Sequence, residues 1–186
     1  MSRADKILKM TEIFMSLDDD NELRQLLGDI PSLIFKKFKF FNCNQRKPTW
    51  GGTYDTFINI PLEIKFSTAE EIYQFRTKLG KELIKPIKSK FKFRIHKSDD
   101  YFFFSIPFSA HLPLMNIYIS SSSETLAPVN FPVIKITTHP DEIVQFNRKY
   151  DTTTQLEQLK LYTEKLLEAC DILVKTLRLI DLESLK

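Results

Sequence analysis

The sequence predicts an α+β fold: a mostly antiparallel sheet of about five strands, packed against a central helix and a long C-terminal helix. Two patterns support this prediction. Short segments of alternating apolar and polar residues occupy the middle of the chain, which is typical of half-buried strands. From Thr152 to Leu185 the chain has no proline or glycine, and its apolar residues alternate at spacings of three and four, which is typical of a helix.

One domain is expected, because a chain of 186 residues, 42% of them hydrophobic, can bury a core of its own. Its parts are a helical lead-in (1–45), a mixed α/β core (46–150) and a long C-terminal helix (151–186). In the lead-in, we predict a first helix from Asp5 to Leu17 and a second, short helix that ends at Gly28. The stretch from Leu33 to Phe41 fits either a third helix or a strand.

The mixed core begins with a strand region from Thr53 to Phe66, which Pro61 interrupts. Ser67-Thr68-Ala69-Glu70 then predicts a capping box, in which the serine oxygen and the glutamate carboxylate satisfy amides of the first helical turn. The helix that follows is expected to end at Pro86. Three or four strands come next, at Phe91–His96, Tyr101–Phe108, Leu114–Ser120 and Phe131–Thr138, before a short helical segment near Pro140.

The C-terminal helix carries a heptad seam of apolar residues, which includes Leu166, Leu173, Leu177 and Ile180. The favoured interpretation is that this helix packs lengthwise across the sheet, because further leucines widen its apolar stripe. The alternative is that the seam forms a homodimer or recruits a protein partner. Under that alternative the protein is an interaction or regulatory factor that acts through its helical surfaces.

The segment from Lys81 to Lys97 is strongly basic. It holds seven lysines and arginines against one acid, Glu82, so its net charge is +6 and the rest of the +3 chain carries −3. Within the predicted strand, apolar and basic residues alternate, and the basic ones therefore share one face. This basic face consists of Lys90, Lys92, Arg94 and His96.

This charge pattern predicts a non-catalytic module that binds nucleic acid or another polyanion. Alternate side chains of a strand lie about 6.7 Å apart, close to the phosphate repeat of an extended nucleic acid. The predicted binding residues are Lys81, Lys85, Lys88, Lys90, Lys92, Arg94, His96 and Lys97. Alternation also places one or two rings of Tyr101–Phe104 on the basic face, where they could stack on bases; a role in the core is the alternative. Lysines that protect an edge strand from aggregation would explain the charges without a ligand.

One enzyme class receives some support. Glu63-Ile64-Lys65 resembles the second half of the signature of PD-(D/E)xK nucleases, and Asp55 would supply the upstream acid. That resemblance implies Mg²⁺ held by Asp55 and Glu63, with Lys65 orienting the attacking water. In one continuous strand, however, the two acids would lie about 26 Å apart, so a sharp bend between them is required.

Other features narrow the class of protein. The chain has no glycine-rich phosphate-binding motif and its three histidines lack metal-ligand spacing, so we predict no cofactor and no metal. Cys43 and Cys170 stand far apart, which favours a reduced intracellular location, the cytoplasm. The uncharged stretch from Tyr101 to Ser123 contains two prolines and suits two strands better than a membrane span, so no membrane partner is expected.

Overall fold

A six-stranded antiparallel sheet forms the frame of the protein. The computed structural model describes residues 21–46, 54–98, 101–121 and 132–186. Its helices are α1 (Asn21–Lys37), α2 (Ala69–Ile87), α3 (Pro140–Asn147) and α4 (Thr152–Leu179), with a 3-10 turn at Glu183–Leu185. Its strands are β1 (Asn44–Arg46), β2 (Thr56–Pro61), β3 (Arg94–Lys97), β4 (Tyr101–Pro107), β5 (Pro113–Ser121) and β6 (Pro132–Thr138).

The predicted α+β fold with a long C-terminal helix is confirmed. The predicted helix at Asp5–Leu17 lies outside the described residues.

The strands follow the order β1-β2-β6-β5-β4-β3 across the sheet. Strands β3 to β6 form a meander of sequential neighbours, whereas β2 pairs with β6, the last strand of that meander. Helix α2 connects β2 to β3 and therefore crosses the sheet from one side to the other. The strand that carries the predicted basic face, β3, is consequently an edge strand.

The two faces of the sheet have different environments. One set of alternate side chains, represented by Ile58, Phe104, Ile117 and Ile136, is fully buried and belongs to the same hydrophobic cluster as residues of all four helices. We call this side the helix face. The other set points away from that cluster and, apart from the buried Val133, is partly or largely exposed; we call this side the outer face.

Close packing fixes α2 on the helix face. A Cβ atom added at Gly80 would lie 2.2 Å from the ring of Phe102 in β4, so any side chain at this position would force that ring to move. Helix α4 is anchored to the same face by Tyr162, whose buried hydroxyl donates a 2.9 Å hydrogen bond to the Leu114 carbonyl oxygen. Burial raises the pKa of this hydroxyl, so it remains a neutral donor.

Helix α1 differs from the prediction. It runs without interruption from Asn21 to Lys37, with both Gly28 and Pro31 inside it, so the prediction that Gly28 ends a helix is wrong. The reason is tertiary packing: Leu23, Leu27, Ile30 and Ile34 are all buried at helical spacing on one side of α1. Burial of this stripe outweighs the lower helix propensity of glycine and proline.

The N-terminus of α2 has its capping box one residue later than predicted. The Thr68 hydroxyl accepts a hydrogen bond from the Glu71 amide, and the Glu71 carboxylate accepts from the amides of Ser67 and Thr68. At its other end, α2 includes Pro86 and continues to Ile87. Proline here removes one amide donor in the last turn, which a helix end tolerates better than its middle.

The ends of two strands and one helix also differ from the prediction. Strand β2 is shorter than the predicted 53–66 region, although the buried and exposed residues still alternate from Leu62 to Phe66. Strand β3 begins at Arg94, not at Phe91, because the end of α2 and its turn continue to Phe91, whose amide bonds to the Ile87 carbonyl oxygen. Helix α4 ends at Leu179, before the predicted limit.

The heptad seam of α4 lies mainly inside the monomer. Leu166 and Leu173 are buried, and Leu177 and Ile180 pack partly against the same core. The interpretation as a helix packed on its own domain is therefore favoured, and a partner could reach the buried half of the seam only if the fold opened. Among the described helices, none is long and apolar enough to cross a bilayer.

Candidate nucleic-acid interface

The residues of the basic segment are divided among several surfaces. Lys85 and Lys90 line a cleft beside the end of α4, and Lys81 lines a separate small cavity with Ile95. Arg94 and His96 belong to β3, which Lys97 ends. The predicted face of four alternating cations does not form, because Lys90 and Lys92 precede the first residue of the strand. Lys88 and Lys92 are both exposed.

Two of these lysines have acidic neighbours. The Lys90 ammonium pairs with Glu168 of α4, and the Lys85 ammonium pairs with Glu82 within α2. All four side chains are more than one third exposed, so each pair contributes little to stability and can exchange for an external anion.

Strand register assembles a row of side chains across the outer face. His96 of β3 is paired with Phe103 of β4, Phe103 with Tyr118 of β5, and Tyr118 with Lys135 of β6. Asn59 of β2 follows Lys135 in the same row. The row therefore joins five strands, and its members come from widely separated parts of the sequence.

Three rings in this row form a continuous stack. The centroids of His96 and Phe103 lie 4.6 Å apart with an interplanar angle of 18°, and those of Phe103 and Tyr118 lie 4.3 Å apart with an angle of 3°. Tyr101 contacts Tyr118 edge-on at 5.8 Å. Partial burial, with a smaller contribution from Tyr101, raises the pKa of the Tyr118 phenol. Both faces of the Phe103 ring are thus covered, whereas His96 ends the stack at the edge strand. We call these three residues the ring stack.

A second row on the outer face is polar. Arg94, which is exposed, is paired with Ser105, and Ser105 is followed by Asn116 and Thr137. The outer face thus combines a guanidinium group, neutral hydrogen-bonding side chains and the ring stack. Alternation within β4 predicts that Phe103 lies on the outer face. The places of Tyr118 and Lys135 in the first row depend on the register between strands, which local sequence does not predict.

A cluster of buried polar groups lies where β2 begins and β6 ends, at the edge of the sheet far from Pro61. The His139 Nδ1 and an Asp55 carboxylate oxygen are 2.9 Å apart, and the side chain of Asp55 is only 5% exposed. Asp141, at the start of α3, accepts a 3.2 Å hydrogen bond from the Tyr54 amide. This cluster joins β2, β6 and α3.

Asp141 is the perturbed acid of the cluster. Burial raises the pKa of its carboxyl group to about 7; the hydrogen bond from the Tyr54 amide opposes this, and the charge of Asp55 reinforces it. Its Oδ1 atom and the nearby hydroxyls of Thr56 and Thr138 are buried without a protein hydrogen-bond partner among the described residues. Within that part of the chain, no group of three or more His, Cys, Asp or Glu residues is placed to hold a metal ion.

The residues of the nuclease hypothesis are not brought together. Strand β2 pairs with β6 in unbroken register from Thr56 to Pro61, so Asp55 and Glu63 lie beyond its opposite ends, about 26 Å apart. Asp55 is buried against His139, whereas Glu63 and Lys65 are exposed. Asp55 and Glu63 therefore cannot share a metal ion in this fold.

Comparison with known proteins identifies no family to which the chain can be assigned. No protein-family model, curated protein or solved structure matches the chain. Its function has to be inferred from the chemistry of its own surfaces.

Proposed function

We propose that the protein is a non-catalytic module that binds single-stranded nucleic acid on the outer face of its sheet. The observation that carries this proposal is the ring stack, which lies beside Arg94 on the face that points away from the hydrophobic core. Aromatic rings next to cations are the usual means by which proteins bind single strands, because every base has a flat face and every nucleotide a phosphate.

The contact with bases occurs at the end of the ring stack. Phe103 has a ring on each side, so a base could enter there only by separating a stacked pair. His96 lies on the edge strand, and its outward side can accept a base that extends the stack by one ring. Stacking of one base on an aromatic side chain contributes about 1–3 kcal/mol.

The contact with phosphates involves Arg94 and the lysines that precede it. Arg94 lies two residues from His96 on the same face, about 6.7 Å away, which matches the distance between adjacent phosphates of an extended strand. Lys92 and Lys88, which precede β3, are also exposed and add positive charge near the start of this strand. Binding should therefore weaken as salt rises, by about 0.7 logarithmic units per phosphate contact for each tenfold increase in salt.

A single strand suits this surface better than a duplex. Bases of a duplex are stacked on one another and leave no face for His96, whereas bases of a single strand can be splayed onto a protein ring. The proposal predicts higher affinity for single-stranded RNA or DNA than for a duplex of the same sequence.

Fluorescence anisotropy with labelled single strands and duplexes, at two salt concentrations, tests the proposal. We expect the variant R94A/H96A to lose at least about tenfold in affinity, because it lacks one stacking and one phosphate contact. R148A is the matched control, since Arg148 is equally an exposed cation but lies after α3. Equal affinity of R94A/H96A and the wild type, or a preference for duplex, would rule out the outer face as the site.

A further inference from the structure

A cleft of about 710 Å³ opens where α2 and α4 end beside the 3-10 turn. Aliphatic side chains form much of its lining, among them Ile172, Leu179, Ile180 and Leu185. Lys85, Lys90 and Lys175 also line it. Glu82 and Asp181 line it as well, so the cleft is aliphatic with charges of both signs, and none of the described residues that line it is aromatic.

Two apolar side chains protrude at this end of the molecule. Leu179 is 75% exposed and Phe40 is 67% exposed, which makes them the most exposed large apolar residues in the described part of the chain. Both lie at the same end of the molecule, because Arg178, the residue before Leu179, has its guanidinium carbon 5.2 Å from the centre of the Phe40 ring. Apolar side chains exposed to this degree, at an end of the molecule that also carries cations, favour a surface that a partner covers.

Cations surround the protruding pair. The Lys39 ammonium lies 5.1 Å from the centre of the Phe40 ring, and Lys36, Lys175 and Arg178 are exposed nearby on α1 and α4. Asp181 is an acidic residue at this end, and Asp171 is paired with Lys37. The apolar pair therefore lies within a mainly positive surface.

We infer that this end of the molecule docks on an anionic phospholipid bilayer, although the sequence alone predicted no membrane partner. Phe40 and Leu179 enter the interface between headgroups and acyl chains, while Lys36, Lys39, Lys175 and Arg178 contact lipid phosphates. Interfacial proteins combine apolar side chains and flanking cations in this way, because the cations are attracted to the negative surface potential of anionic lipids. At the cleft, Lys85 and Lys90 are paired with Glu82 and Glu168, so they add to the attraction only where these exposed pairs open. This surface is separate from the outer face and does not depend on the proposed function.

Sedimentation with lipid vesicles tests this docking surface. The probes are phosphatidylcholine vesicles and vesicles in which about one third of the lipid is phosphatidylserine. We expect the wild-type protein to bind the anionic vesicles and to be released by high salt, and F40S/L179S to lose at least about tenfold in partition coefficient. The charge variant K36E/K39E should lose a similar amount, which separates docking from a fold defect in either variant.

The matched control is F146S/Y150S. These two residues are 45% and 47% exposed, and Lys149 lies close to both rings, so the control removes another pair of exposed large side chains beside a cation. It should bind anionic vesicles like the wild type. Equal binding to both kinds of vesicle, no binding to either, or the same loss in the control as in F40S/L179S would overturn the inference. Retention of binding by F40S/L179S would overturn it as well.

Discussion

The outer face of the sheet and the cleft beside α4 are both basic, and residues of one short segment contribute to both. Arg94 and His96 lie on the outer face beside stacked rings, whereas Lys85 and Lys90 lie at the cleft among aliphatic side chains. The difference teaches that a run of charge in a sequence does not define a single surface. Lys85 lies in α2 and Lys90 in the turn after it, whereas Arg94 and His96 lie in β3. The surrounding side chains are mainly aliphatic at the cleft and aromatic on the outer face, so we expect the two surfaces to differ in the anions they bind.

The first prediction separates the two surfaces with the largest effect. Charge reversal at Arg94 combined with loss of the His96 ring, in R94E/H96A, should weaken single-strand binding by about a hundredfold, because a repulsive charge replaces an attractive one and stacking is lost. The same variant should bind anionic vesicles normally. Conversely, F40S/L179S should retain nucleic-acid binding. Loss of both activities in either variant would show that the two surfaces are one site.

The second prediction concerns the packing of α2 against β4. G80A places a Cβ atom 2.2 Å from the Phe102 ring and should lower the free energy of unfolding by about 2–3 kcal/mol. Its control, G28A, places a Cβ atom 3.8 Å from the Tyr54 ring inside α1, and should raise stability by about 0.5–1 kcal/mol. Urea unfolding measures both. Equal effects of the two alanines would contradict the close approach of α2 to β4.

The third prediction uses the buried acidic cluster, which lies apart from both surfaces. Because the pKa of Asp141 is about 7 in the folded protein and near 3.8 when unfolded, the folded state retains its proton over this interval. Stability should therefore fall as pH rises from about 4 to about 7, and by about 2 kcal/mol between about pH 5 and about pH 7.5.

D141N removes this titration, whereas Asp55, His139 and Glu142, the other charged groups that face Asp141, remain in both proteins. The difference in free energy of unfolding between D141N and the wild type should thus grow in favour of D141N as pH rises. Urea unfolding at several pH values gives this difference. A constant difference would mean that Asp141 ionises normally. Neither binding activity should change, since the cluster belongs to neither surface.

The smallest predicted effect comes from the ion pair between Lys90 and Glu168. Both side chains are largely exposed, so a double-mutant cycle with alanine should give a coupling of about 0.2–1 kcal/mol. E168A frees the Lys90 ammonium and should slightly strengthen vesicle binding without changing nucleic-acid binding. An unchanged affinity for vesicles would show that Lys90 does not take part in docking.

Local sequence patterns could predict some of these features because they depend on near neighbours. The capping of α2 and the length of α4 follow from residue type and spacing, with shifts of a few residues. Alternation also predicts that Tyr101 and Phe103 share a face of β4. Helix α1 shows the limit of this method, since burial of Leu27 and Ile30 keeps it continuous through Gly28.

Contacts between distant parts of the chain were beyond such prediction. The ring stack requires the register of β3, β4 and β5, and one residue of slip would move Tyr118 to the helix face. The Asp55–His139 contact joins residues 84 positions apart, because β2 pairs with the last strand of the sheet. Lys90 leaves the predicted basic face because α2 and its turn continue as far as Phe91.

Crosslinking with a single-stranded RNA that contains 4-thiouridine tests most directly whether the outer face binds nucleic acid. Irradiation at low salt, followed by protease digestion and mass spectrometry, identifies the peptide that carries the nucleotide. We predict that the nucleotide is attached within β3 or β4, at or next to His96 or Phe103, and that excess unlabelled single strand suppresses it. Attachment confined to α4 or the cleft, with none on β3 or β4, would contradict the proposal.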